Sequence, residues 1–407
     1  MSILAGAMRR VGPIIAVGLI LASFGAIWTV SVRAQEATPT PSAENPLAEL
    51  LQLAPDVMSG TEEPPVQIAT YADLAAQTAV SGLPLPTSVE DENFVPWAFA
   101  LIALVSPSNL FSYALLADWH SLLGFDLWEI EQSMEVGEPP MVYTLFRGRF
   151  DEAAIRAAWA NQGYRMLDVD GIEVASLHED ASFDITSDLG RFTFARFNNA
   201  AILPDGTLVY SPTLDGMRLL IAVAQGTAPS LGDRPDVAVL VGAIEKPLAS
   251  AMLLAGTALQ GMPSLGFDVA TPLAEVSDAM ATQIAEFARM PPISMALLGV
   301  TPGGPLPERS NADATPQPDI PPAQLEIALL LESQEAAETA VHVAEERLAT
   351  QTPMATGQPL TDNFSSWDSH VLPDQPVAVL ELNFAPGVPP RIWAEMIFRR
   401  DLPFLAW

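Results

Sequence analysis

Three short runs hold residue types able to do chemistry. Asp118-Trp119-His120 places a carboxylate two positions from an imidazole, the ingredients of a general acid–base pair. Ser366, Asp368 and His370 supply the three types of a hydrolase triad. Glu179, Asp180, Asp184 and Asp188 gather the hard oxygen donors that calcium takes. Spacing weighs against the first two. Residues two apart on a helix point in different directions, and 109–123 reads as a helix ending at Gly124, so Asp118 and His120 should not meet. Ser366, Asp368 and His370 alternate on one face of a single predicted strand, whereas a triad draws its members from separate elements. No catalytic residue is therefore assigned. The acidic run lacks the DxDxDG order of an EF-hand loop, and so acidic a chain clusters carboxylates by chance. Asp180, Asp184 and Asp188 stand as the metal-ligand candidates, with calcium as the cation and no other cofactor expected.

The remaining signatures are missing. There is no GxGxxG, Walker loop, GxSxG elbow or HExxH, and no two of the four histidines (His120, His178, His342, His370) stand at a ligand spacing. Cysteine is absent, which removes disulfides, thiolate catalysis and thiolate metal sites together. The 18 Lys plus Arg against 49 Asp plus Glu leave a net charge of −31, a surface that repels phosphate backbones and anionic headgroups. Nucleic-acid binding is not expected. Lys246 is the sole lysine.

The elements that must position these residues follow an export segment. Arg9 and Arg10 precede an uncharged apolar run over 11–32, and Val32-Arg33-Ala34 offers small residues where a signal peptidase reads. Residues 1–34 are thus either a signal peptide cleaved near Ala34 or a signal anchor, since 11–32 is long enough to span a bilayer. Either way the rest of the chain lies outside the cytoplasm, touching the membrane only through the uncleaved segment. Residues 35–65 read as a polar, Pro-rich linker carrying a short helix that begins at Asn45-Pro46.

The stretch 139–177 is the best-formed local unit: a strand through 141–146, Asp151 as N-cap, an apolar helical face of Ala154, Ile155, Ala158 and Trp159, Gly163 as stop, then two strands around Asp170-Gly171. Elsewhere strands are expected at 66–70 (an edge), 97–105, 131–136, 192–197, 250–256, 294–300 and 324–331, with a hairpin at 200–210. Helices are expected at 214–224, 234–243, 273–288 and 333–349, and a long loop at 301–322.

A shift of 182 positions lays Asp151 on Ser333 and Pro139-Pro140 on Pro321-Pro322, and Leu203-Pro204-Asp205 is echoed by Leu372-Pro373-Asp374. The fold class that follows is α+β, two divergent copies of an antiparallel sheet with helices packed on one face, behind the hydrophobic export segment. The copies span 66–246 and 247–407.

The run DGTLVYSPTLDGMRLLIAVAQGTAPSLGDRPDVAVLVGAI resembles exported bacterial cell-envelope proteins of unknown function, in which a hairpin, a helix and an SLxDxPD-type segment recur. The likeness spans roughly 66–256 and implies no activity or site. The functional expectation is an extracytoplasmic, non-enzymatic module that binds a protein or small ligand between its halves. The alternatives are a hydrolase using paired carboxylates and a structural cell-surface protein.

Overall fold

Asn45 opens the first helix by accepting a hydrogen bond from the Ala48 N–H at 3.4 Å, and Pro46 takes the position where a missing N–H costs nothing. Helix α1 (Pro46–Leu53) buries Leu47, Leu50 and Leu51, so the short helix expected in the linker belongs to the core. The computed structural model describes residues 45–59, 65–81, 83–102, 118–178, 180–182, 184–259, 290–303, 323–353, 357–388, 392–398 and 402–405. The export segment, the helix expected at 273–288 and most of the 301–322 loop lie outside them. Among the described residues no helix is long and apolar enough to cross a membrane.

After α1 come β1 (Gln67–Asp73), α2 (Leu74–Ser81), α3 (Phe94–Ile102), α4 (Trp119–Leu123), β2 (Ile130–Val136) and β3 (Tyr143–Gly148). Asp151 caps α5 (Glu152–Gln162) by accepting from the N–H groups of Ala153 and Ala154 at 2.9 and 3.4 Å, and Gly163 stops it at φ 86°. Strands β4 (Arg165–Val169) and β5 (Ile172–Ser176) close on Asp170 and Gly171, both at the positive φ a type I′ turn demands. Next come α6 (Asp188–Thr193), β6 (Asn199–Ile202), β7 (Leu208–Ser211), α7 (Leu214–Ala224), α8 (Pro235–Ala243), β8 (Ser250–Ala255), β9 (Met295–Val300) and β10 (Gln324–Leu330). Ser333 caps α9 (Gln334–Thr350) through the Ala336 N–H at 3.1 Å. The chain ends with α10 (Leu360–Asn363), β11 (Phe364–Val371), β12 (Val377–Phe384) and α11 (Ile392–Phe398).

All the described strands join one antiparallel sheet of 12, in the order β11-β12-β10-β9-β8-β1-β2-β3-β7-β6-β5-β4. The α+β class holds. Outward from the β1–β8 ladder, β1-β2-β3-β7-β6 runs one way and β8-β9-β10-β12-β11 the other, with β5 and β4 beyond β6.

Helices cover both faces of the sheet, which corrects the expectation of one covered face. On one face α1, α7 and α8 pack over Tyr71, Met134, Leu145 and Val209 and, past the ladder, over Leu253, Leu297 and Val379. On the other, α3 and α5 lie over Phe146, Ala200 and Tyr210, while α9 and α11 lie over Leu298, Ile327 and Leu380. The cause is visible in β8 and β9, buried at every position: a strand apolar on both faces needs cover on both.

Three element expectations also fail. Of the strand expected at 97–105, residues 97–102 fall on helix α3 and 103–105 lie outside the described residues. A nine-residue apolar run fits either state, and Pro96 in the first turn favours the helix. The strand at 192–197 is the end of α6, which Ser187 caps through the Gly190 N–H at 3.0 Å, followed by a turn with Phe194 and Ala195 at φ 49° and 68°. The strand expected as an edge at 66–70 is central, its residues paired with both β8 and β2.

Candidate functional site

Asp118 and His120 do not pair, though not through helix spacing: Asp118 is the N-cap of α4 and not a residue of a helix over 109–123, of which 109–117 lie outside the described residues. Asp118 caps α4, accepting from the Ser121 N–H at 3.0 Å and hydroxyl at 2.8 Å, while His120 Nδ1 lies 3.4 Å from Asp126 Oδ2. His120, Asp126 and Glu129 bring one possible ligand atom each within 4.8 Å of one another. Sequence reasoning missed this group because its spacing follows no motif; the left-handed stop at Gly124 folds the chain back on itself. Glu129 Oε2 already accepts from the Asp126 N–H at 2.7 Å, and the histidine is 61% exposed, so the group works as a surface loop tie.

The acidic loop spends its carboxylates on its own turns. Asp180 Oδ1 accepts from the Ser182 N–H at 3.0 Å, and Asp184 Oδ1 from the Thr186 N–H at 2.8 Å and hydroxyl at 2.6 Å. The side-chain hydrogen bonds of Ser182 and Thr186 hold these two carboxyls below the usual range. Asp188 pairs with Arg191 at 2.5 Å. Among the described residues these three do not form a group at ligand spacing; Glu179 lies outside them.

Ser366, Asp368 and His370 do share a face of β11, and the register adds what the sequence could not. Asp368 lies opposite Glu381 on β12, and Glu381 lies opposite Glu326 on β10, so three carboxylates form one row across three strands. Ser366 accepts from Asn383 Nδ2 at 3.0 Å. Lys246 enters from the segment after α8, its Nζ donating to Glu326 Oε1 at 2.9 Å and to Glu381 Oε2. Glu326 is 3% exposed, and its burial pushes its carboxyl up further than Lys246 pulls it down. Burial works against the Lys246 charge, yet the bonds to Glu381 and Glu326 outweigh it and hold the ammonium above its ordinary pKa. A glycosidase-type pair needs space between its carboxyls for substrate and water, whereas here the lysine occupies that space.

On the same face, α8 and the β11–β12 turn border an open cleft of about 420 Å³ lined by Ala238, Val239, Gly242, Leu372, Pro373 and Gln375. Small side chains on α8 keep this wall low: a Cβ built at Gly242 meets no atom within 4 Å.

The opposite face holds a second polar feature. Thr70, Glu135, Thr144 and Tyr210 lie in register across β1, β2, β3 and β7, all buried. Glu135 accepts from Arg196 Nη1 at 2.9 Å, and burial pushes its carboxyl up to about 7 despite that guanidinium. The hydroxyls of Thr70, Ser133 and Thr144 are buried without a hydrogen-bond partner.

No family model matches the chain. No curated protein matches it either. Among solved structures, crystal form IV of TP0453 is similar at 8% identity over 85% of this chain and 98% of that one, with a TM-score of 0.34, too low to bear on fold or activity.

Proposed function

We propose that this chain is an extracytoplasmic, non-enzymatic binding module built from two divergent copies of one α+β unit, with its ligand seated between them. The observation that carries the reading is the cleft: one wall, Ala238, Val239 and Gly242, comes from the first half, and the other, Leu372, Pro373 and Gln375, from the second. Its lining is mostly apolar, as ligand sites are, and the charged row of Glu326, Glu381 and Asp368 shares its face. Lys246 neutralises one of those three charges, leaving a field that favours a cationic group on an apolar body, whether a protein segment or a small ligand.

Support for duplication comes from matching strand orders. In the first half β6 and β7 turn through Leu203-Pro204-Asp205 and set β7 beside β3; in the second, β11 and β12 turn through Leu372-Pro373-Asp374 and set β12 beside β10. Each half places a capped helix directly after the strand so paired, Asp151 with α5 and Ser333 with α9. Export rests on residues 1–34, as signal peptide or as anchor through 11–32.

The test is capture of ligand by the full chain from its own envelope, compared with Gly242→Trp, which adds an indole to the cleft wall at a position where a Cβ meets no atom within 4 Å. The wild type should retain a species that the variant loses. Equal capture by both would remove the cleft from the proposal, and a mature terminus at Gln35 would remove the anchor.

A further inference from the structure

The sheet ends on β4 at one side and on β11 at the other. An edge strand presents backbone groups without partners, and these pair readily with another strand. β4 has 5 residues, whereas β11 has 8.

The ladder with β12 fixes which groups of β11 point outward. Leu372 donates its N–H to the Val377 carbonyl at 3.0 Å, so these opposed residues form a hydrogen-bonded pair. Alternation then bonds Ser366, Asp368 and His370 to β12 and turns the N–H and C=O groups of Trp367, Ser369 and Val371 to the free edge. The Ser369 N–H behaves accordingly, donating at 2.9 Å to the carboxylate of its neighbour Asp368 instead of to a strand. Asp368 and His370 are exposed on the cleft side of the sheet, while Trp367 and Val371 lie against the core on the α9 side.

We propose that β11 pairs with β11 of a second copy of this chain, antiparallel about a twofold axis at Ser369, joining two sheets into one. Charge selects that register. With the axis at Ser369, Asp368 meets the second copy's His370 and His370 meets its Asp368, in the closer, non-hydrogen-bonded type of pair. Trp367 meets Val371 twice, an aromatic on a β-branched side chain. Moving the axis to Asp368 would oppose two carboxylates, and moving it to His370 two imidazoles. The backbone agrees: Ser369 with Ser369 and Trp367 with Val371 become hydrogen-bonded pairs, made from the groups already turned outward.

The pairing also completes the charged row. Among the described residues the ion pairs of this row are those of Lys246 with Glu326 and Glu381, so Asp368 closes it at the free edge without a cation. The second copy's His370 supplies one. β4 offers no equivalent, because a twofold opposes residues an even number of positions apart and Arg165 stands three from Asp168. The net charge of −31 repels two copies at long range, but salt of about 0.15 M screens that field beyond about 8 Å and leaves the contact pairs to decide.

The test uses the full chain in detergent, which masks the apolar run 11–32. The chain lacks cysteine, so Ser369→Cys carries a single thiol. On the axis its Cα lies about 5.5 Å from its copy, within disulfide reach, and mild oxidation should link most of the protein into dimers. Ser365→Cys lies about 25 Å from its copy in this register and should stay unlinked. At about pH 6, where an imidazole carries charge, light scattering should show a dimer for the wild type. His370→Asp and Asp368→Lys each set like charges opposite one another and should each weaken association about tenfold or more. Mixed in equal amounts they should form a dimer of one copy of each, because every opposed pair is then complementary; a misfolded variant would not be rescued in this way. A wild type that stays monomeric up to about 100 µM, thiols that link at Ser365 as readily as at Ser369, or single variants that associate like the wild type would each overturn the proposal.

Discussion

Lys246 and Glu326 stand 80 positions apart in sequence and are joined by a 2.9 Å hydrogen bond, so the chain's sole lysine pins the end of the first half to the middle of a strand of the second. Glu326 is buried on β10 and Glu381 faces it from β12. A cross-strand carboxylate pair repels itself unless a cation is shared, which explains why a lysine lies there.

Lys246→Met should therefore destabilise by more than a surface ion pair is worth. Removing one partner of a buried pair typically costs about 3–5 kcal/mol, and the 37% exposure of the lysine screens this to about 2 kcal/mol. Urea denaturation of Lys246→Met, Glu326→Leu and the double variant measures it. The double variant should be more stable than the sum of the single losses implies, because Glu326→Leu removes the charge that Lys246→Met strands. Additive losses would show that the two groups do not interact.

Glu135 should make the whole fold lose stability as pH rises. Its folded value of about 7 lies above the ordinary 4.5, so the native state holds a proton that the unfolded chain has released. Its contribution is complete below pH 4.5 and lost by about pH 7, a swing on the order of 3 kcal/mol. The difference between wild type and Glu135→Gln in denaturation midpoints across pH 4 to 8 isolates it from the other carboxyls. A difference that does not change with pH would mean that Glu135 is hydrated in the native protein.

The two helix caps test whether α5 and α9 play matching parts. Asp151→Ala and Ser333→Ala each remove a side chain that bonds free N–H groups of the first turn, and each should cost about 1 kcal/mol. The shift of the urea midpoint reads this directly. A loss in one variant only would separate the roles of the two helices.

What could be read from sequence was local. Asp151, Gly163 and Asp170-Gly171 act within a few residues of themselves, so their chemistry dictates a cap, a stop and a turn wherever the chain goes next. The apolar run at α3 carried no such mark, and its length suits strand and helix alike. The row Glu326–Glu381–Asp368 depends on strand order and register, which unite positions 42 and 13 residues apart around a lysine 80 residues earlier than the first of them. The pairing of buried Glu135 with Arg196 likewise joins positions 61 residues apart. The same-face placement of Asp368 and His370 was legible because alternation along a strand is itself local.

Gly124 and Gly163 provide a controlled pair for separating backbone strain from crowding. Both end helices in the left-handed region, at φ 82° and 86°, so alanine at either meets the same conformational penalty of about 1 kcal/mol. Their surroundings differ. A Cβ at Gly163 meets nothing within 4 Å, whereas one at Gly124 falls 2.5 Å from the Ala154 carbonyl oxygen and from Ile155 Cα, both backbone of α5. Gly163→Ala should thus lose only the conformational term. Gly124→Ala must also drive α4 away from α5, where Ile155 and Trp159 are fully buried, and should lose about 2 kcal/mol or more beyond it. Thermal and urea unfolding of the two variants gives the difference, and equal losses would mean that α4 can shift on α5 without disturbing the core.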